Sequence, residues 1–311
     1  MSQMTPGQAR VVDPVLSTVA QGYQNADLVW TALFPVVPVD VRGGRILTFG
    51  KEAFRIYNTG RSPGQDTKRI QIGHAGDPFV LEQHALEGVL PIENQQEAAA
   101  TTPGVDLGSG TTMTVQDIIQ LRTEYAAAQL ATSLGNYPTA NKRSLSGSDL
   151  WSNASSTPTK DIEAAKDAVR AATGKRADTA LISAKAFSAL QTNPSILDRI
   201  KYTGRDSITV ELLANLWNLR RVVVGDAVYE DASGNLVDVW GADVVVSYSA
   251  VGSPAERGRP TFGYTYRLRG YPIVEQAYFD RQAKSWVYPV TDELQPVIAG
   301  SGAGYLLKGV V

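Results

Sequence analysis

Two glycine-containing stretches have residue types that could bind an oxyanion or a phosphate. Gly60-Arg61-Ser62-Pro63-Gly64 fits the G-x-S-x-G pattern of serine hydrolases, in which the residue after the serine donates its backbone N–H to the oxyanion. Pro63 has no N–H to donate, and the polar residues after it lack a helical pattern, so a flexible loop tip is favoured. Gly300, Gly302 and Gly304 place the third glycine too early for G-x-G-x-x-G, and no helical pattern follows them. Neither stretch predicts a catalytic or nucleotide site.

The two histidines, His74 and His84, are the residues that could most readily bind a metal ion. They lie ten residues apart and cysteine is absent, so a metal site would need carboxylates as well. The nearest carboxylates in sequence are Asp77, Glu82 and Glu87. Solvated or capping roles fit these residues better. We therefore predict no metal, no cofactor and no catalytic residue, and an enzyme is expected only if carboxylates converge in the fold.

Clustered arginines could contact phosphates or carboxylates, since guanidinium binds both. The four candidates for contact with DNA or with an acidic patch are Arg257, Arg259, Arg267 and Arg269. Period-two spacing places the last two on one strand face. A solvated face with local ion pairs is the simpler alternative. The whole chain has 29 basic and 31 acidic side chains, so it has no bulk attraction for nucleic acid or anionic lipid.

The composition also bears on the cellular compartment. Because the chain has no cysteine, it can form no disulfide, which fits a reducing environment. No segment approaches the ~20 apolar residues of a membrane span. The first thirty residues lack a basic stretch followed by an apolar core. We expect neither secretion nor membrane insertion, and the cytoplasm is the simplest location.

The first part of the chain predicts extended structure that reaches beyond a local core. In Leu33-Phe34-Pro35-Val36-Val37-Pro38 each proline disfavours helix for the residue before it. This apolar segment is either an arm that another surface buries or a terminal strand packed on its own domain. Residues 46–74 alternate strand-like pieces with a polar tip at 58–68, which predicts a long two-stranded hairpin. An isolated hairpin is marginally stable, so this one is expected to lie on another surface.

The rest of the chain predicts one long helix, an α/β region and a β-rich end. Apolar residues recur at helical spacing within 112–134, whereas 136–159 is rich in Ser, Thr and Asn and is typical of a loop. Residues 157–230 alternate helical patterns with short strands, which indicates an α/β domain. Strands are predicted at 179–182, 221–224, 236–240, 244–248, 262–268, 273–279 and 286–290.

This order of segments resembles the major capsid proteins of tailed phages, whose fold is shared by herpesvirus floor domains and encapsulin shells. Residues 13–37, from Asp13-Pro14-Val15-Leu16 to Leu33-Phe34-Pro35-Val36-Val37, are similar to the N-terminal arm of one branch of the family. Residues 177–196, with the turn Asn193-Pro194-Ser195-Ile196, are similar to the domain that clusters at capsomer centres. Residues 262–289 resemble the returning strands of the peripheral domain. The likeness covers nearly the whole chain.

The resemblance implies an α+β fold of the tailed-phage major capsid type. Its parts would be an N-terminal arm at 1–44, an extended loop at 45–75, a peripheral domain at 76–156 with a spine helix at 112–134, an axial α/β domain at 157–250 and a β-rich return to the peripheral domain at 251–311. The candidate contacts between subunits are Leu33, Phe34, Arg55, Tyr57, Arg61, Lys68 and Arg69.

The function implied is self-assembly into the icosahedral head shell that encloses phage double-stranded DNA. The partners implied are many copies of the chain, as pentamers and hexamers, together with scaffolding, portal and cement proteins. Contact with packaged DNA would be weak and non-specific. No long charged helical prefix precedes the arm, so scaffolding is expected from a separate protein. The chain would be part of the virion, assembled in the host cytoplasm without a membrane.

Two other functions fit parts of the same sequence. The first is an encapsulin-like nanocompartment shell, which would hold a cargo enzyme instead of DNA. The second, from a different class, is a ligand-binding β-rich module for a sugar or peptide. It would use exposed aromatic side chains around a pocket, and the candidates are Trp151, Trp240 and Trp286. These tryptophans lie far apart in sequence, which favours core packing.

Overall fold

The computed structural model describes residues 12–23, 25, 27–46, 56, 60–62, 64, 66–67, 69, 76, 78–101, 106–200, 208–249 and 261–311. The helices are α1 Pro14–Gly22, α2 Trp30–Leu33, α3 Ile92–Thr101, α4 Leu107–Thr132, α5 Pro158–Thr173, α6 Ala184–Thr192, α7 Pro194–Ile200 and α8 Val210–Leu216. The strands are β1 Val36–Val39, β2 Gly43–Arg45, β3 Pro78–Val80, β4 Glu82–Pro91, β5 Lys142–Ser144, β6 Thr179–Ser183, β7 Arg221–Gly225, β8 Val228–Glu230, β9 Leu236–Asp238, β10 Val244–Ser247, β11 Gly263–Leu268, β12 Ile273–Val274, β13 Tyr278–Asp280, β14 Ser285–Ile298 and β15 Gly304–Lys308.

The 14-residue strand β14 organises a six-stranded sheet. Along one side it pairs antiparallel with the whole of β4. Along the other side it pairs in turn with β13, β12 and β11, and β1 adds to β11 in parallel. Strand β1 is part of the apolar segment predicted as an arm or a terminal strand. Because it pairs with β11 of the same chain, residues 36–39 take the second form and pack on their own domain.

The second sheet has five strands in the order β5-β15-β10-β6-β7 and is covered on both faces. Ala180 and Ile182 of β6 contribute to a core with α5, α6, α7 and α8, whereas Leu181 contributes to a second core with α2 and α4. A strand buried on both faces needs an uninterrupted apolar run, which the Thr179–Ser183 segment provides. The predicted α/β region therefore forms as a sandwiched sheet.

Helix α4 links the two sheets, and side chains fix both of its ends. At the start, Asp106 accepts hydrogen bonds from the backbone N–H groups of Gly108 and Ser109. At the end, the amine of Lys308 donates to the carbonyl oxygen of Thr132, and the amine of Lys142 donates to that of Leu134, two residues beyond the helix. A carboxylate at the N-terminus and cations at the C-terminus both favour a helix. The helix therefore begins at Leu107, five residues before the predicted start.

Several other predictions differ in extent from the structure. The predicted strand 273–279 is divided into β12 and β13, and the predicted strand 286–290 is lengthened to β14. The loop predicted at 136–159 is partly core, because the polar segment surrounds the fully buried Trp151. Strand β15 belongs to the five-stranded sheet, so residues 304–308 do not pair with the strands of the predicted return to the peripheral domain. Its Leu306 and Leu307 are buried on opposite faces, which requires a covered sheet.

Candidate interaction surfaces

Most of the excursion predicted as a hairpin at 45–75 lies outside the described residues, but the residues that flank it form a two-stranded base. There β2 pairs antiparallel with β3. Arg42 precedes β2, and its guanidinium donates two hydrogen bonds to Glu293 of β14, at 2.7 Å from Nε and 3.0 Å from Nη2. Gln83 and Tyr271 donate to the same carboxylate. Because Glu293 is buried and lies on the central strand, these bonds fix the base to the six-stranded sheet.

The described residues between 56 and 69 are all exposed. Ile56 has 99% of its surface in contact with solvent. Arg61 and Arg69, predicted to contact a neighbouring subunit, are exposed, whereas the predicted Arg55, Tyr57 and Lys68 lie outside the described residues. An aliphatic side chain that is fully hydrated lowers its free energy when another surface covers it. The exposed Ile56 is therefore a candidate for an intermolecular contact.

Leu33 and Phe34, the other two predicted contacts between subunits, are completely buried within the chain itself. Phe34 packs against Phe262 with 5.4 Å between the ring centroids. Gly263 lies directly against the Phe34 ring, where any larger side chain would collide with it. A fully buried side chain has no surface left for a neighbour, so the predicted contact does not fit the position of these two residues. Their apolar character reflects packing in the subunit core.

The arginines near the C-terminus are paired with carboxylates of the same chain where the structure describes them. The Nη2 of Arg267 lies 2.8 Å from the fully buried Asp292, and the Nε of Arg269 lies 2.6 Å from Asp40 on the surface. Burial raises the pKa of Asp292, although the Arg267 guanidinium opposes this shift. Arg257 and Arg259 lie outside the described residues. Ion pairs within the subunit therefore explain the roles of Arg267 and Arg269.

A buried carboxylate that the sequence did not single out joins three segments of the chain. Glu124 of α4 accepts hydrogen bonds from the backbone N–H groups of Val29 and Trp30, at 3.3 and 2.8 Å, and from the indole Nε1 of Trp240, at 2.5 Å. Burial raises the pKa of Glu124, while these donors act in the opposite direction. In the sequence, the one indication of this buried site is an acidic residue shortly before two alanines. In the structure these alanines, Ala127 and Ala128 of α4, are buried.

Strand β4 forms an acidic edge of the six-stranded sheet. This edge was not predicted from the sequence. Within the described residues its strand neighbour is β14 alone. Exposed Glu82 and Glu87 lie on this strand, and exposed Glu93 follows in the first turn of α3. The sequence does contain a signal: residues 77–121 include seven acidic side chains and no Lys or Arg. A solvent-exposed edge of one charge sign is a candidate for contact with a basic partner.

The described part of the chain can be examined for a metal site, a membrane-spanning helix and a tryptophan-lined ligand pocket. No group of three or more His, Cys, Asp or Glu residues in the described ranges could hold a metal ion. None of the described helices is long and apolar enough to cross a lipid bilayer. Trp151 and Trp240 are fully buried, and the half-buried Trp286 packs edge-on against Phe279 at 5.5 Å. These tryptophans serve packing and do not surround a ligand pocket.

Comparison with known proteins identifies the family. The family model for phage major capsid protein E matches residues 34–261. The chain belongs to this family of phage major capsid proteins. The curated major capsid protein of Burkholderia phage BcepMu is 35% identical to it over 309 residues, which cover 97% of each chain. The crystal structure of a phage-related protein from Bordetella bronchiseptica RB50 has 43% sequence identity and a TM-score of 0.84, covering 97% of this chain and 99% of the other.

The fold of this major capsid protein extends to more distant shells. The virus-like particle of Pyrococcus furiosus is 11% identical, with a TM-score of 0.56 over 94% of this chain and 96% of the other, which shows the fold alone. The α+β capsid fold expected from the sequence is thereby confirmed, as is the structural function. The protein is a subunit of a phage shell, a component of the virion, and assembles from many copies of itself.

Proposed function

We propose that this capsid protein builds an icosahedral head around double-stranded DNA from rings of five and six copies. The five-stranded sheet and its helices would lie near the ring centre as the axial domain, within the predicted range 157–250. The six-stranded sheet and α4 would form the peripheral domain, with α4 as the spine helix. Each contact in such rings is heterologous, so a modest free energy is repeated over every interface of the closed shell.

The observation that carries this proposal is a segment whose described residues between 56 and 69 are all exposed and whose base is hydrogen-bonded to the central strand. Arg42 and Glu293 fix its base to the central strand, while Ile56, Arg61 and Arg69 are exposed beyond the base. A segment with a fully hydrated isoleucine is suited to overlap an adjacent subunit. Arg55, Tyr57 and Lys68 would add contacts in the same segment.

We expect the head to contain or need partners besides copies of this chain. Scaffolding would come from a separate protein, and portal and cement proteins would complete the shell. Packaged DNA would make weak, non-specific contacts, because the net charge is −2 and attraction must come from local groups such as Arg257 and Arg259. Assembly in the host cytoplasm agrees with a chain that has no cysteine. The subunit would act by assembly and not by catalysis.

Electron microscopy of the expressed protein tests the proposal. The wild-type chain, produced with and without a scaffolding protein of the same phage, is expected to form closed polyhedral shells in negative stain. A variant in which a short Gly-Ser linker replaces residues 56–69 is expected to fold but to form no closed shells. The variant Ser62→Ala, which keeps the reach and charge of the excursion, is the matched control. A wild-type chain that stays monomeric under all conditions would contradict the proposal.

A further inference from the structure

Residues 29–34, called the bridging segment below, form hydrogen bonds with both sides of the subunit. The carbonyl oxygen of Leu33 accepts a hydrogen bond from the hydroxyl of Ser249, at 3.3 Å, just beyond β10 of the five-stranded sheet. The next carbonyl oxygen, that of Phe34, accepts one from the hydroxyl of Thr265, at 3.1 Å, in β11 of the six-stranded sheet. Two consecutive residues therefore connect the two sheets.

The bridging segment is buried, so water cannot replace these hydrogen bonds. Both hydroxyl donors, Ser249 and Thr265, are buried as well. Trp30 and Leu33 belong to one apolar cluster with Ala127 of α4 and Leu181 of β6. A buried donor or acceptor that loses its partner is costly, and close packing leaves a segment few other positions. The segment therefore has one defined position relative to both sheets.

Glu124 fixes the start of the bridging segment to α4 and to the five-stranded sheet. Its carboxylate accepts hydrogen bonds from the backbone N–H groups of Val29 and Trp30 and from the indole N–H of Trp240. N–H groups at the start of a helix have no partner within it, so buried ones need an outside acceptor. The Trp240 ring lies against Gly225 of β7, where any larger side chain would collide with it. One carboxylate thus positions the segment against this sheet.

The angle between the two sheets matters in a closed shell. Contacts between copies in such a shell are heterologous, and the rotation from one copy to the next decides whether rings close or open filaments form. Where the two sheets of a subunit contact different neighbours, the angle between the sheets is part of that rotation. A spread in this angle would therefore give a spread in the curvature of the assembly.

We propose that Glu124 and Trp240 are positioning residues for assembly. By holding the bridging segment they set the angle between the two sheets and, through it, the curvature of the shell. The effect on curvature rests on the proposed function, in which copies of the chain close into a head. The angle itself is a property of the single subunit and can be measured without assembly.

Distance measurements on unassembled subunits test the angle. Because the chain has no cysteine, Val89→Cys on β4 and Ala164→Cys on α5, both at exposed positions, place one spin label beside each sheet. Double electron–electron resonance gives the distribution of distances between the two labels, which is expected to be narrow in the otherwise wild-type chain. Trp240→Phe removes the indole N–H, and Glu124→Gln removes the charge and one acceptor oxygen. Each is expected to broaden the distribution, because a hinge that loses its fixing contacts samples more angles.

Trp217→Phe is the matched control. Trp217 is also fully buried, and its indole N–H donates to Thr159 at 3.4 Å within the other apolar cluster. The control should lose stability as Trp240→Phe does but keep the wild-type distance distribution. Thermal unfolding checks that each chain folds. For any positioning variant that fails to fold, Ser249→Ala and Thr265→Val, which remove the two hydroxyl donors, are measured in its place and are expected to broaden the distribution.

The label distances decide the inference about the angle. Folded Trp240→Phe or Glu124→Gln subunits with the wild-type distribution would overturn it. A Trp217→Phe subunit with an equally broad distribution would also overturn it, since a general loss of stability would then explain the result.

Negative-stain images of the assembled chains test the effect on curvature. The wild type is expected to form shells of uniform diameter, whereas Trp240→Phe should form shells of mixed diameter together with tubes or open sheets. Trp240→Phe shells as uniform as those of the wild type would overturn the effect on curvature. A wild-type chain that forms no shell would contradict the proposed function and the effect on curvature with it, whereas the angle is still decided by the label distances.

Discussion

Asp292 and Glu293 are consecutive residues of β14 that point to opposite faces of the six-stranded sheet, and each holds an arginine from a different part of the chain. Asp292 pairs with Arg267 of β11, and Glu293 pairs with Arg42 at the base of the excursion. Successive side chains of a strand alternate between faces, so two adjacent acids can serve two separate surfaces. One pair supports the sheet, and the other supports the excursion.

Replacing Glu293 should loosen the base of the excursion without unfolding the subunit. In Glu293→Ala, Arg42 loses its two hydrogen bonds but regains water, because its side chain is 65% exposed. We expect a loss of about 1–2 kcal/mol in the free energy of unfolding. Proteolysis within residues 45–75 should become faster. Lys185→Gln, which breaks an exposed pair with Asp238, should leave both measurements unchanged.

Breaking the Arg267–Asp292 pair from one side should be costlier than replacing both partners. Asp292 is fully buried, and among the described residues its Oδ1 and the Nε of Arg267 have no hydrogen-bond partner. Arg267→Leu would leave a buried carboxylate unpaired, at a cost of about 3 kcal/mol at neutral pH. The double variant Arg267→Leu, Asp292→Leu should lose less than the single variant. Urea unfolding of both chains measures the difference, and additive losses would contradict the coupling.

Glu124 should make the stability of the subunit depend on pH in a defined direction. Its pKa in the folded state is raised by burial, so the folded protein binds the proton more tightly than the unfolded chain. The contribution of Glu124 to stability is therefore fully present below the unfolded pKa of about 4.3 and is lost as pH rises through the folded pKa. The wild type should gain stability relative to Glu124→Gln as pH falls through this window. Unfolding curves at several pH values test this, and Asp167→Asn, an exposed site on α5, serves as control.

Asp106 should stabilise α4 with the opposite dependence on pH. Its pKa is lowered, first by the hydroxyl of Ser109 and then by the backbone N–H groups at the start of the helix. Asp106→Ala should cost about 1 kcal/mol of stability, whereas Asp106→Asn keeps the cap and should cost little. The cost of Asp106→Ala should be present above the unfolded pKa of about 3.9 and should vanish as pH falls through the folded value. Equal losses in both variants at neutral pH would contradict a capping role.

Local sequence determined those elements whose signals lie within a few residues. Pro158 at the start of α5 and Gly174 in the left-handed conformation after its end bound that helix. The apolar runs of β6 and β7 likewise gave strands at the predicted positions. The order of segments along nearly the whole chain was enough to indicate the capsid fold. For α5, β6 and β7 the deciding signals lie between neighbours in sequence, which a pattern can represent.

Tertiary structure decided what depends on distant partners. Leu33 and Phe34 have the composition of an apolar arm, but Phe262, more than two hundred residues later, buries Phe34 in the subunit core. From the sequence, Arg267 is a candidate phosphate ligand, but in the fold it forms an ion pair with Asp292. Strand β15 is drawn into the five-stranded sheet by pairing with β10 and β5. Burial and pairing between remote residues depend on how the chain packs, and no local pattern contains that information.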